Sequence, residues 1–208
     1  GWAAALVLTQ EAGGPEDAPL GRSPRQLFGY LSNEVLGQLP ASLETFLLRT
    51  SVLDTITPAA ADALLGATGS EANLHELANR LLFVQPHAGP PLGFSYHPLL
   101  REYLRTRLRE EAPAEFERLY QRAGELAEGA ASLDAAVTYY LQGGHHQYVA
   151  RLLEHHGGDL IRQGRWLTLK SWFEALPSQY WEDSPALLLT YAQVLQRTGA
   201  TDVALLHG

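Results

Sequence analysis

The sequence predicts a mostly α-helical chain with one short β-hairpin near its middle and helices only beyond it. Three observations point there. Apolar residues recur at three-and-four spacing over most of the length, the period of a helix with one buried face. That period breaks at two β-favouring pieces, residues 83–86 and Gly93–Tyr96, separated by the turn-rich stretch His87-Ala88-Gly89-Pro90-Pro91-Leu92. After Tyr96 every segment returns to helical spacing, punctuated by glycine and proline.

Residues 1–11 read as a short apolar helix carrying Trp2, Leu6 and Leu8, stopped by Gly13-Gly14-Pro15, with a polar linker running to Pro24. Over residues 25–39, Leu27, Phe28, Leu31, Val35, Leu36 and Leu39 share one face, and Pro40 ends that helix. Ser42 is expected to cap the next, whose apolar face is Leu43, Phe46, Leu47 and Val52. Thr57-Pro58 is an N-cap followed by proline at the first helical position, opening a helix over Pro58–Leu65 that Gly66 closes. A further helix from Ser70 to about residue 82 turns Leu74, Leu77, Leu81 and Leu82 inward. Helices followed by a hairpin make the winged-helix arrangement, with the hairpin as the wing. This domain is assigned to residues 25–112, after an initial helix and linker at 1–24.

Pro98–Glu111 carries Leu99, Leu100, Tyr103, Leu104 and Leu108 on one side. Pro113 opens a helix to Gly129, and Ser132 caps another ending at Gly143-Gly144. Further helices are expected at 145–156, 160–163, 166–176 and 185–198, with the tail 201–207 as a truncated partner. Pairs of short antiparallel helices build α-solenoids. Leu133-Asp134-Ala135-Ala136-Val137 and Thr201-Asp202-Val203-Ala204-Leu205 look alike, so residues 113–208 read as a tetratricopeptide-like arm.

Composition narrows the function. Hydrophobic residues make up 46% and charged residues 18%, ordinary for a folded domain and unlike a disordered one. Cysteine is absent, which removes disulfides, thiol catalysis and zinc–thiolate sites. No apolar run approaches the roughly 20 residues of a membrane span, and no basic region precedes the first apolar stretch. A cytoplasmic, soluble location is expected. Methionine is also absent and the chain begins at Gly1, the expectation for a piece of a longer protein.

The formal net charge of −8 argues against a nucleic-acid surface. The candidate recognition helix presents Glu71, His75, Glu76 and Arg80, and the wing between Pro86 and Gly93 has neither lysine nor arginine. Such a surface cannot neutralise several phosphates, so no direct DNA contact is expected. Arg101, Arg105, Arg107, Arg109, Arg118 and Arg122 are interleaved with Glu102, Glu110, Glu111, Glu115 and Glu117, which reads as a solvated face with ion pairs three and four residues apart. The doublets His145-His146 and His155-His156 lack the four-residue spacing of helical metal ligands, so no metal site is assigned. Trp166, Trp172, Tyr180 and Trp181 read as core between helices rather than a ligand cage. No nucleophile elbow occurs, so no catalytic residue is assigned and the segment is not expected to be an enzyme. His97, just before Pro98, has the plain reading of a polar N-cap in a tight turn.

Several segments, in collinear order over nearly the whole chain, resemble the middle of MalT-like regulators, large ATP-binding transcription activators with a LuxR-type DNA-binding end. Phe46-Leu47-Leu48-Arg49-Thr50-Ser51-Val52-Leu53-Asp54 is the most specific, and Tyr96-His97-Pro98-Leu99-Leu100-Arg101-Glu102-Tyr103-Leu104 is nearly as good. The Gly-Trp-Ala-Ala-Ala-Leu start looks like the helix that ends the family's nucleotide-binding module, and Leu27 to Leu31 through Glu34-Val35-Leu36, then Leu39-Pro40, is similar to its first winged-helix segment. Leu133 to Ala136 and Trp172 to Pro177 resemble its first arm repeats. The resemblance implies a non-catalytic winged helix and arm within a signal-transducing ATPase of the STAND class. This segment would couple nucleotide state to the sensor repeats and hold the ADP-bound inactive form. ATP or ADP would be bound by the parent's own nucleotide module and none by this segment alone, since Gly-x-x-x-x-Gly-Lys-Ser/Thr does not occur here. In that class a histidine at the start of the helix after the winged-helix hairpin contacts the β-phosphate of ADP, and by resemblance His97 would do so. A protonated ring, together with exposed N–H groups at the start of the Pro98 helix, would strengthen that contact. Partners implied are the nucleotide module, the sensor repeats, and a small-molecule inducer or protein on the arm. The alternative is a helical-repeat adaptor with a structural winged helix and no nucleotide function.

Overall fold

The break in helical period does form a hairpin. A computed structural model describes residues 36–81, 83–87 and 92–198, which are mostly helical with one two-stranded antiparallel sheet. The expected helix at 1–11, its linker, most of the helix at 25–39, Leu82 and the tail 201–207 lie outside the described residues. The chain divides into two units, Gly1–Phe116 and Glu117–Gly208.

In the first unit, α1 (Ala41–Thr50), α2 (Pro58–Leu65) and α3 (Ser70–Arg80) precede β1 (Val84–His87) and β2 (Gly93–Tyr96), and α4 (Pro98–Glu111) follows. The start of α1 corrects the expectation for Ser42. Pro40 holds the N-cap position with no side-chain cap, and its carbonyl accepts from the N–H groups of Leu43 and Glu44 at 2.9 and 3.0 Å. Proline's fixed φ already sets the entry, so Ser42 falls inside the first turn. Val52 likewise lies beyond the end of α1, yet it is fully buried with Leu53, because the chain turns straight back into the core. Thr57 caps α2 as expected: its hydroxyl accepts from Ala60 N–H at 3.1 Å, and Gly66 ends the helix in the left-handed conformation. Asp62 then accepts the N–H of Ser70 at 3.0 Å, supplying from α2 the cap that α3 lacks locally. Leu43, Phe46, Leu47, Leu64, Leu74, Leu77, Leu100 and Leu104 converge in the core.

The hairpin pairs Val84 with Tyr96, Gln85 with Ser95, Pro86 with Phe94, and His87 with Gly93. Proline can sit opposite Phe94 for a reason that lies on the other edge of β2. Phe94 exchanges both backbone hydrogen bonds with Ile56, each 2.8 Å, so it asks nothing of Pro86. Ile56, between α1 and α2, is fully buried by this pairing.

The chain passes into the second unit within α5 (Pro113–Gly129), followed by α6 (Leu133–Gln142), α7 (His146–Arg162), α8 (Trp166–Ala175), a 3₁₀ turn (Ser178–Tyr180) and α9 (Pro185–Thr198). One continuous α7 replaces the two helices expected at 145–156 and 160–163. The doublet Gly157-Gly158, which lies between those two expected helices, is helical. Gly157 is buried where α9 passes, and a Cβ there would lie 3.0 Å from the Thr190 methyl. Glycine here serves close packing, a use that local sequence does not distinguish from a break.

Three connections in this unit share one geometry. After α5, α6 and α7 a residue in the left-handed region follows: Ala131 at φ 54°, Gly144 at 74° and Gly164 at 74°. The next residue's N–H reaches back five positions, Ser132 to Ala127, His145 to Tyr140 and Arg165 to Leu160, at 2.8 to 2.9 Å. Each left-handed residue donates to the carbonyl three back. These are Schellman turns, satisfying the carbonyls that a helix end leaves open, and the following helix starts at once. Tyr140, Val149, Leu152, Leu153, Leu169, Phe173, Leu187 and Val194 form the core they enclose.

Candidate functional site

The two segments carrying the strongest resemblance, residues 46–54 and 96–104, meet each other. Thr50, in the last turn of α1, shares a 2.7 Å hydrogen bond with the Tyr96 hydroxyl at the end of β2, both buried. Thr50 also donates to Phe46 carbonyl, so its proton is spent locally and Tyr96 O–H is the donor between them. Burial pushes the Tyr96 phenol well above its ordinary range, against the opposing effect of Thr50, so it keeps its proton.

Two turns into α4, the Arg105 guanidinium spans the carbonyls of Ser51 and Val52, each at 2.8 Å, and reaches Asp54 at 3.1 Å. These carbonyls close α1, where the helix leaves acceptors unpaired and a cation is favoured. Arg101 joins Asp54 at 3.0 Å. Arg107, on another side of α4, takes Glu44 at 2.5 Å and Glu111 at 2.8 Å. Burial works against its charge, but the two carboxylates outweigh it and raise its pKa. This corrects the reading of the arginine run as a solvated face. Arg101, Arg105 and Arg107 bind groups some fifty to sixty residues away, and only part of the run, such as Arg122 with Glu125, makes the short-range pairs expected.

His97 stands at the head of this clasp, between β2 and α4. Its N–H donates to Phe83 carbonyl at 2.7 Å, carrying the hairpin ladder one step on, and its ring meets Phe83 edge-on at 5.9 Å. Its Nδ1 accepts from Leu99 N–H at 3.3 Å, the N-cap of the plain reading. An accepting Nδ1 carries no proton, which places the hydrogen of the neutral ring on Nε2. Burial holds the imidazole below its ordinary pKa, in the same sense. The expected positive field of the helix start is correspondingly small. His97 N–H goes to Phe83, Pro98 has none, and Leu99 N–H goes to His97, which leaves Leu100 alone of the four terminal groups. What the site offers an anion is a neutral Nε2–H donor on a partly exposed ring, with Arg101 one turn along α4.

The remaining candidates disperse. His145 Nε2 lies 2.7 Å from Glu117 carbonyl, His146 packs its ring 5.1 Å from Tyr180, and among the described residues no three His, Asp or Glu gather as metal ligands. Trp172, Tyr180 and Trp181 join the core of the second unit, with Trp181 5.0 Å from Tyr191, while Arg197 stacks on Trp166 at 5.4 Å outside it. On α3, Arg80 pairs with Glu76, and His75 covers Phe94 edge-on at 5.4 Å. Among the described residues, no helix is long and apolar enough to cross a membrane. Asp54 was not among the predicted site residues, although it ends the most specific segment; only its spatial partners show what it does.

Residues 32–116 match the family model of the MalT winged helix domain. This stretch is therefore a MalT-like winged-helix region, and every residue of the clasp, with His97, falls inside it. The match closes at Phe116, the last residue of the first unit.

Proposed function

We propose that this chain is a non-catalytic regulatory segment of a MalT-like signal-transducing ATPase that activates transcription. On this reading its winged helix couples the nucleotide state of the protein's own P-loop module to the sensor repeats and holds the ADP-bound inactive form. The observation that carries it is the position of His97 in the matched region. A partly exposed imidazole sits at the junction of β2 and α4, with Nδ1 engaged by Leu99 and Nε2–H left as the donor. A neutral N–H donor fits a phosphate oxygen and needs no protonation of the ring. The clasp behind it joins α4 to the end of α1, so a pull on His97 is resisted by buried and half-buried hydrogen bonds rather than by a loop.

The segment then needs no catalytic group of its own. A closed state holding ADP and an open state holding ATP and inducer, each favoured by its ligand, suffice for a switch. The nucleotide module and sensor repeats are its partners, the second unit is the arm toward an inducer or protein ligand, and DNA contact belongs elsewhere in the protein. The acidic balance and the Arg80–Glu76 pair on α3 support that last assignment.

The test is to read the full reading frame and assay the protein it encodes. A Gly-x-x-x-x-Gly-Lys-Ser/Thr loop upstream, with ADP copurifying and lost in His97→Ala, is the expected result. ADP retained equally by His97→Ala overturns the nucleotide role. A frame without such a loop leaves an adaptor.

A further inference from the structure

We infer that Arg101 is a second phosphate ligand beside His97, held in reserve by Asp54; the inference rests on the nucleotide reading of His97 above. His97, Arg101 and Arg105 recur every four residues, so they stand in one column along α4. The lower two arginines differ in what binds them. Arg105 is fixed by two main-chain carbonyls as well as Asp54, and its side chain is 19% exposed. Arg101 has the Asp54 carboxylate as its side-chain partner among the described residues, and is 27% exposed.

Asp54 itself is 53% exposed and keeps Arg105 at 3.1 Å if Arg101 leaves. Releasing Arg101 therefore strands neither partner. A half-exposed ion pair of this kind stabilises weakly, whereas a guanidinium on a phosphate makes a charge-assisted and often bidentate contact. The exchange favours the phosphate. One carboxylate thus occupies the guanidinium until a diphosphate reaches His97, one helical turn above. Arg107 is excluded from this role, because removing it would leave Glu44 and Glu111 both unpaired.

The experiment measures ADP and AMP affinity of the full-length protein carrying Arg101→Gln, Arg101→Lys, Asp54→Asn, and Arg101→Gln with Asp54→Asn. Arg101→Gln is expected to weaken ADP about tenfold, the size of one charge-assisted hydrogen bond, with AMP little changed. Arg101→Lys recovers part of that loss. Asp54→Asn is expected to tighten ADP roughly two- to fivefold, the size of an exposed ion pair, and to do nothing once Arg101 is glutamine. Asparagine keeps an acceptor for Arg105, and the melting temperature of each variant reports whether the clasp survives. The inference is overturned if Arg101→Gln leaves the ADP-to-AMP preference intact, or if Asp54→Asn acts equally in both backgrounds. Should His97→Ala lose ADP while Arg101→Gln does not, the nucleotide reading stands and this inference alone falls. If neither loses it, the reading itself has failed.

Discussion

The two units are held together by different physics. The first joins its helices through side chains: a tyrosine on a threonine, an arginine across two carbonyls, a carboxylate between two guanidinium groups. The second also has long-range side-chain pairs, such as Arg151 with Glu128 and Ser184 with Glu154, but it repeats one backbone turn and fills the space between helices with aromatic rings and glycines. Tyr140 shows this best. It is fully buried, stacked on Tyr148 at 4.9 Å, bonded through its hydroxyl to Glu128, and covered by Gly124. Directional bonds at one junction suit a part that must hold a defined site. Repeated turns and generic packing suit a scaffold that can be extended.

That contrast can be broken from either side. The largest effect is expected for Tyr140→Ala, about 3–5 kcal/mol in urea unfolding, since it empties a fully enclosed ring site. Gly124→Ala comes next. A Cβ there would stand 2.4 Å from the Tyr140 ring, so about 1–3 kcal/mol of overpacking is expected to outweigh the modest gain in helix propensity. In the first unit, Arg105→Ala should cost about 1–3 kcal/mol by leaving the Ser51 and Val52 carbonyls short of a donor. Arg162→Ala, which removes an exposed pair with Asp159, should change stability by less than about 1 kcal/mol in the same assay. Equal losses for the two arginines would dissolve the distinction between clasp and surface.

The turns give a smaller and opposite prediction. Ala131 occupies the left-handed position that glycine holds in the two following connections. Ala131→Gly should stabilise by about 1 kcal/mol or less, strain relieved minus the added freedom of the unfolded chain. A loss instead would mean that Ala131 packing outweighs its backbone strain.

The smallest effect concerns pH. Burial depresses the folded pKa of His97, so its contribution to stability is present above the ordinary value near 6.5 and is lost as pH falls through the folded pKa. An NMR titration of the ring should place its midpoint below 6.5. Below it, Nδ1 is protonated and the cap on Leu99 is lost. A midpoint above 6.5 would contradict the neutral donor.

Much of this was legible in one dimension. The limits of α4 and α9, the Thr57 cap, the Gly66 stop and the position of the hairpin all follow from local rules about proline, capping and period. The misreadings share a cause. Gly157 fell in the gap between two expected helices, the arginine run resembled a surface stripe, and Ser42 resembled a cap. In each case a residue type with two uses was assigned its commoner one. The deciding partner lay elsewhere: Thr190 for Gly157, and Ser51, Val52 and Asp54 for Arg105. For Ser42 it lay two residues back, in a proline that had already set the turn.

The sequence by itself determined the order of the described elements from Ala41 to Glu111, the acidic balance, the absence of cysteine chemistry and the presence of His97 before Pro98, because these depend on composition and on neighbours within a helical turn. Only the tertiary structure decided that residues 50–54 and 96–105 form one clasp, that Ile56 completes β2, and that His97 keeps Nε2 as its donor nitrogen. Hydrogen bonds between groups about fifty residues apart leave no periodicity to read. They exist once hydrophobic burial has brought α1 and α4 side by side.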